Sequence, residues 1–243
     1  MAGFCEAITK IRGIVYDIGA GSGILTEFAA SYANFIYSVE IDPQISRKTR
    51  DILKNYKNIS FINDDARKVD FPKKADYIIC EMLDTALIDE EQVPILNSVL
   101  KYLKNEGKVI PCGIFNGAEP IQSKAEHIYY QEDETSPEKV LGPLNIYSKY
   151  EFGKYIHPLA EFKLKIKINR EGILNSLKIT TFTLITEDII CGPTPMMNSP
   201  LIIPMEKLKV KPGDTVGIYL SYQMGGGLDT IETRIKGISR STV

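Results

Sequence analysis

The sequence predicts an α/β unit followed by a smaller all-β unit. Three observations lead there. Residues 14–111 alternate short apolar runs with helix-length amphipathic ones. After Pro111 that alternation gives way to period-two and β-branched runs. The length of 243 residues exceeds one compact core and falls short of two large ones.

In chain order, Gly13–Ile18 (GIVYDI) reads as a short buried strand and Gly23–Ala30 as a helix. Phe35–Ile41 is a second strand. Pro43–Tyr56 is a second helix, with Pro43 pre-set for its first turn. Ile59–Ile62 and Asp76–Cys80 are the third and fourth strands. Val93–Leu103 places Val93, Leu96, Val99, Leu100 and Leu103 on one helical face, and Lys108–Ile110 follows as a fifth strand. Strands separated by such helices form a parallel sheet covered on both faces. Farther on, Phe162–Ile168 alternates strictly, and Leu177–Thr186, Val216–Tyr222 and Thr230–Ile235 complete a set of strands. Lys211–Asp214 (KPGD) is a turn between two of them. Lys124–Gly153 is irregular, with a helix possible only around Ser136–Leu141. The expected organisation is 1–113 as the α/β unit, 114–160 as a linker or arm, and 161–243 as the β unit.

Composition narrows the chemistry. Lys plus Arg is 29 and Asp plus Glu is 31, for a formal net charge of −2, so no global basic field exists. Lys163, Lys165 and Lys167 form a local basic run that reads as a solvated strand face. Cys5, Cys80, Cys112 and Cys191 form no CxxC pair, which suits a reducing cytoplasm and gives no zinc site. There is no tryptophan, and His127 and His157 are the two histidines. A His-rich metal site is excluded and no metal is expected. The N-terminus has no apolar signal core, and Pro193, Pro195, Pro200 and Pro204 disqualify Ile189–Met205 as a membrane helix. A cytoplasmic protein is expected.

The most informative stretch is Val15–Gly23 (VYDIGAGSG). A strand runs into Gly19, Gly21 and Gly23 and then into a helix. This is neither the GxGxxG of dinucleotide enzymes nor a P-loop. Asp17, just before the glycines, repels a pyrophosphate and suits a cationic group. Glu40, at the tip of the second strand, can accept hydrogen bonds from both ribose hydroxyls. After the third strand, Asp64-Asp65-Ala66 can offer a carboxylate to an adenine amino group and a backbone N–H to the ring. Together these residues resemble the class I S-adenosylmethionine-dependent methyltransferases over residues 14–111. The resemblance implies a Rossmann-like sheet, usually of seven strands. It also implies S-adenosylmethionine as cofactor, with its methionine part on Asp17–Gly23, its ribose on Glu40 and its adenine at Asp65.

A second signal lies after the fourth strand. Glu81 stands where α/β sheets bind ligands, and Glu90 follows nine positions later. Asp84 is an alternative second acid. Here the chain resembles the protein arginine methyltransferases, whose double-glutamate loop has this spacing and whose pair grips the substrate guanidinium. The resemblance assigns that catalytic role to Glu81 and Glu90. It continues into Leu208–Thr215 (LKVKPGDT), which is similar to that family's C-terminal β-barrel. Three departures stand beside it. Pro195, Met196 and Met197 occupy the place of the family's Thr-His-Trp loop, where they read as packing or as a soft apolar wall. The stretch after Pro111 is short for a dimerisation arm. Only 13 residues precede the first strand, too few for the family's N-terminal cover. Tyr222–Asp229, rich in glycine, reads as a flexible hairpin loop.

The expected activity is therefore methyl transfer from S-adenosylmethionine to a nucleophile held near Glu81. The first acceptor is a protein side-chain nitrogen, arginine before others. RNA or a small molecule is the alternative acceptor. A non-catalytic S-adenosylmethionine-binding subunit is the alternative outside catalysis. No membrane partner is expected, and a homo-oligomer remains open.

Overall fold

The computed structural model describes residues 1–132, 138–194 and 197–240. It begins with a short helix, α1 (Ala2–Ile8), which the sequence reading did not anticipate. The α/β unit follows as β1 (Ile14–Ile18), α2 (Ile24–Ala30), β2 (Phe35–Val39), α3 (Pro43–Leu53), β3 (Ile59–Ile62), β4 (Ala75–Cys80), α4 (Gln92–Val99) and β5 (Leu103–Ile110). Its five strands are parallel in the order β3-β2-β1-β4-β5. Among the described residues this sheet has five strands, where the resembled family usually has seven. The connection order reverses between β1 and β4, which places a crevice at their carboxyl ends. Ile18, Ile36, Ile78 and Ile79 are almost fully buried, as expected of strands covered on both faces.

Phe4, Ala7 and Ile8 of α1 pack with Leu25, Ala29 and Ile36 in one core that covers the outer side of the sheet. Ile185, from the β half, joins that core. So the short N-terminal stretch cements the two halves.

The stretch 114–160, expected as a linker or arm, carries strands instead. β6 (Gly113–Gln122) lies between β11 (Gly172–Leu184) and β9 (Asn145–Glu151), and β7 (Tyr129–Tyr130) and β8 (Lys139–Val140) are short additions. β6 was illegible because Gly113, Asn116, Gly117 and Pro120 have low strand propensity. It is also buried on both faces, so it shows no alternation. Ser136 and Pro137, part of the possible helix, lie outside the described residues.

The remaining strands are β10 (Leu159–Lys167), β12 (Ile190–Cys191), β13 (Leu201–Val210), β14 (Thr215–Gln223) and β15 (Glu232–Ser239). One antiparallel sheet runs β7-β13-β11-β6-β8, with β12 and β9 at its sides; the other runs β10-β14-β15. The two sheets curl over a shared core that includes Ile166, Leu177, Ile179, Val216 and Leu220. This is the barrel-like unit that the sequence predicts. Among the described residues no helix is long and apolar enough to cross a membrane, and no cluster of His, Cys, Asp and Glu could hold a metal ion.

Candidate active site

Every candidate residue falls at the carboxyl end of the parallel sheet. The glycine loop is tied to the tip of β2: the N–H groups of Gly19 and Ala20 both donate to Val39 O at 2.9 Å. Gly19, Gly21 and Gly23 have φ of 71°, 53° and 79°, a region that favours glycine. The Gly21 N–H donates to Glu40 Oε2 at 2.8 Å, and Asp42 N–H donates to Glu40 Oε1 at 2.9 Å. A carboxylate offers about four lone-pair sites, so two remain for a pair of hydroxyls. The glycine loop and Glu40 thus form one unit.

Gly23 shows how tightly that unit is built. A Cβ there would lie 2.4 Å from Thr49 Cγ2 of α3. Gly23→Ala therefore combines a clash with a strained φ and should destabilise by about 2 kcal/mol. The melting temperature, read by calorimetry, should fall by about 5 °C. An unchanged melting temperature would mean that α3 moves aside freely.

Asp17 is 2% exposed. Its carboxylate accepts a short hydrogen bond from Thr26 Oγ1, which also meets Ser38 Oγ at 3.1 Å. Burial raises the Asp17 pKa to about 6; the Thr26 bond opposes the shift and the Glu40 charge adds to it. A buried, unpaired carboxylate of this kind gains from a cationic partner.

Asp65 and Ala66 lie beyond β3 and are nearly buried. Here the sequence missed a residue. Arg67 grips Asp65 through Nε at 2.9 Å and Nη2 at 3.0 Å, and its Nη1 reaches Glu91 Oε1 at 2.9 Å. That grip holds the Asp65 carboxyl below its ordinary range. The Asp65 N–H is engaged as well, donating to Asp64 Oδ1 at 2.8 Å. Arg67 was legible only as a surface cation, because its two partners are 2 and 24 positions away in sequence.

The acidic loop is held from three sides. Gln92, fully buried at the start of α4, brackets Glu81: its Nε2 donates to Cys80 O at 2.8 Å and its Oε1 accepts from Met82 N–H at 2.9 Å. Asp84 is 8% exposed and organises the turn. It accepts from the N–H groups of Ile88 at 3.0 Å, Asp89 at 2.9 Å and Glu90 at 3.3 Å, and from Tyr130 Oη at 3.1 Å. Burial raises Asp84 to about 6 against those hydrogen bonds. Asp84 is thus turned toward its own loop rather than serving as the second open acid. The third support is the antiparallel unit. Thr181 Oγ1 accepts from Ala86 N–H at 2.8 Å, and Ser199 O accepts from Thr85 Oγ1 at 2.7 Å. Gly225 and Gly227 N–H groups each donate at 3.0 Å, to Leu87 O and Ile88 O. The glycine-rich stretch expected as a flexible hairpin is thus a docking loop. These contacts hold Ala86 and Leu87 at φ of 62°, a conformation that costs about 1 kcal/mol or more at each non-glycine residue.

Glu81 feels the charge of Glu90 across the loop. Glu81 opens to solvent along part of its surface, but neighbouring chain crowds its carboxylate. That partial desolvation is the main reason its pKa is raised, and the Glu90 charge is the second. Pro195 and Met196, in the place of the Thr-His-Trp loop, lie outside the described residues. Met197 packs beside the core that holds Phe4 and Ile8, so its role here is packing.

Residues 15–107 match the family described as "Methyltransferase domain". The chain carries a methyltransferase domain. The methyltransferase is 47% identical over 236 residues to an uncharacterized protein of Methanothermobacter thermautotrophicus, covering 97% of this chain and 92% of that one. Protein arginine N-methyltransferase 7 of Gallus gallus is 33% identical over 120 residues, covering 43% of this methyltransferase and 17% of the relative. Among solved structures, the Trypanosoma brucei PRMT1 enzyme–prozyme heterotetrameric complex with AdoHcy aligns with a TM-score of 0.77 at 14% identity, covering 90% of this chain and 83% of that one. The last likeness is one of fold. The methyltransferase uses S-adenosylmethionine as its methyl donor.

Proposed function

We propose that the methyltransferase acts on the side-chain guanidinium of arginine in a protein substrate. The observation that carries this reading is the acidic loop. Glu81 and Glu90, nine positions apart, lie within electrostatic reach of one another. Gln92, Asp84 and Gly225 hold the loop between them in shape. Two carboxylates whose charges interact gain from a cation between them, and a planar cation with several N–H donors can satisfy both. The likeness to arginine methyltransferases in fold and in part of the sequence supports the same acceptor.

The cofactor residues follow in the same reading. Asp17 takes the ammonium of the methionine part, and Gly19, Gly21 and Gly23 line its approach. Glu40 takes the ribose hydroxyls, and Asp65 with Ala66 faces the adenine edge, Asp65 sharing its carboxylate with Arg67. Once bound, S-adenosylmethionine supplies an electrophilic sulfonium methyl. Glu81 and Glu90 then hold the guanidinium by charge-assisted hydrogen bonds and aim one nitrogen at the crevice between β1 and β4. The raised pKa of Glu81 suits it to accept the proton that the methylated nitrogen must lose. Residues 1–113 form the cofactor unit in this scheme. Residues 161–243, with the strands of 114–160, form the unit that braces the acceptor loop.

The test is incubation of the enzyme with methyl-labelled S-adenosylmethionine and cell extract, followed by protease or nuclease treatment. Label should enter protein and appear as methylarginine after acid hydrolysis. Label in RNA or in small molecules would overturn the arginine assignment. Failure to label any acceptor, with the cofactor still bound, would favour a binding subunit.

A further inference from the structure

The lysines of β10 form a second charged surface, apart from the residues of the acidic loop. Lys163, Lys165 and Lys167 are exposed and alternate with buried Leu164 and Ile166. Successive lysines are roughly 6.6 Å apart along the strand. The register sets Tyr219, Gly217 and Thr215 of β14 opposite them. Lys165 and Lys167 therefore face uncharged, small neighbours. On the far side of β14, Lys236 lies 5.2 Å from the centre of the Tyr219 ring, and the Tyr219 hydroxyl is fixed by Glu161 at 2.6 Å. Tyr219 thus holds a fourth cation over the sheet. Among the described residues, none of Lys163, Lys165, Lys167 and Lys236 forms an ion pair. Four unpaired cations gather on one face of a chain whose net charge is −2. Like charges side by side on a sheet are unfavourable unless something opposes them.

We propose that this face binds the phosphate backbone of a single-stranded nucleic acid without reading its bases. An evenly spaced row of cations answers a polymer that carries one charge per repeat. Gly217 and Thr215 keep the middle of the strip flat, so a continuous backbone can lie along it. An extended peptide with acids at alternate positions has a similar spacing, so an acidic peptide is the opposing outcome of the test. The direction of the strip also matters. β14 runs from Thr215 to Gln223, and Gly225 just beyond it bonds to Leu87 in the acidic loop. The strip therefore leads toward the acceptor site. Glu81, Asp89, Glu90 and Glu91 repel phosphates there. A bound strand stays on the lysines and stops short of the glutamates, holding any cationic polypeptide that accompanies it within reach. This surface stands on its own observations and does not depend on the arginine reading.

The test is fluorescence anisotropy of a labelled oligouridylate of about 12 nucleotides with the whole protein, across a salt series. The wild type should bind in a salt-dependent manner. The triple variant K163Q/K165Q/K167Q should bind at least tenfold more weakly at low salt. Its log–log salt slope should be shallower by about 2, from ~0.7 for each lost phosphate contact. Its thermal melt should match the wild type; if it does not, Lys165→Gln alone should still flatten the slope by ~0.7. A control, K48Q/K54Q/K57Q, removes three exposed lysines in and just after α3 and should leave binding unchanged. Absence of salt-dependent binding by the wild type would overturn the proposal. So would equal weakening in the α3 control, or a polyglutamate peptide that binds as tightly and displaces the oligonucleotide.

Discussion

Replacement of Glu81 by Gln should lower the rate of methyl transfer by about a thousandfold, or ~4 kcal/mol in the barrier. Gln keeps the size and one acceptor oxygen, so the Gln92 bracket and the fold survive. What it removes is charge. A neutral amide cannot form charge-assisted bonds to a guanidinium, and its NH2 points donors at a group that has only donors. It also cannot take the proton released on methylation. The pH profile should change as well. In the wild type, Glu81 is raised by crowding and by Glu90, so activity should climb with pH as Glu81 loses its proton. That limb should vanish in the variant. Single-turnover kinetics with labelled cofactor and a peptide acceptor would check both points. An active Glu81→Gln enzyme with unaltered pH profile would show that the loop does not hold the acceptor.

Asp17→Asn should produce two effects of opposite sign: weaker cofactor binding and a more stable protein. The carboxyl moves from 3.8 to about 6 on folding, because it is buried with the Glu40 charge nearby, and the hydrogen bond from Thr26 opposes the shift only in part. Between those values the folded chain keeps a proton that the unfolded chain has released. Stability therefore falls as pH rises through that window, and above pH 6 the full cost of a buried charge is present. That cost is about 3 kcal/mol at neutral pH. Asn keeps an acceptor for Thr26 and carries no charge, so the variant should gain stability of that order at pH 7. Asp84 is raised in the same direction and remains in the variant. The decline of stability with pH should therefore be reduced, not abolished. Cofactor binding runs the other way. Only the ionised carboxylate pairs with an ammonium, so wild-type affinity should weaken below pH 6, by up to about tenfold per pH unit. The variant should bind about a hundredfold more weakly at pH 7, with no such dependence. Calorimetric titration and urea unfolding across pH 5–8 would measure both. A destabilised variant that binds S-adenosylmethionine normally would sink the assignment of Asp17.

The two predictions differ in how far the sequence reaches. Asp17 and Glu40 could be named as candidates because each is placed by a strand end and a glycine loop within one βαβ segment. Short-range periodicity fixes those positions, and the local chemistry repeats wherever such a loop occurs. Glu81 was legible for the same reason. Glu90 had only its spacing, since an acid before a helix serves the helix dipole equally well.

The sequence by itself determined the succession of β1 to β5 along the chain, the glycine loop and the spacing of the two glutamates. Tertiary structure decided what holds them. Gln92 reads as an ordinary helix residue until it is found buried around Glu81. Asp84 reads as a third acid until its oxygens meet three backbone N–H groups and Tyr130, 46 positions away. Thr181 and Gly225 have no local signature for bracing a loop nearly a hundred or more residues away. The physical reason is range. Strand and helix periodicity is written within a few residues. The partners that fix an acidic loop come from wherever the chain happens to fold back, and only burial and hydrogen-bond geometry reveal them.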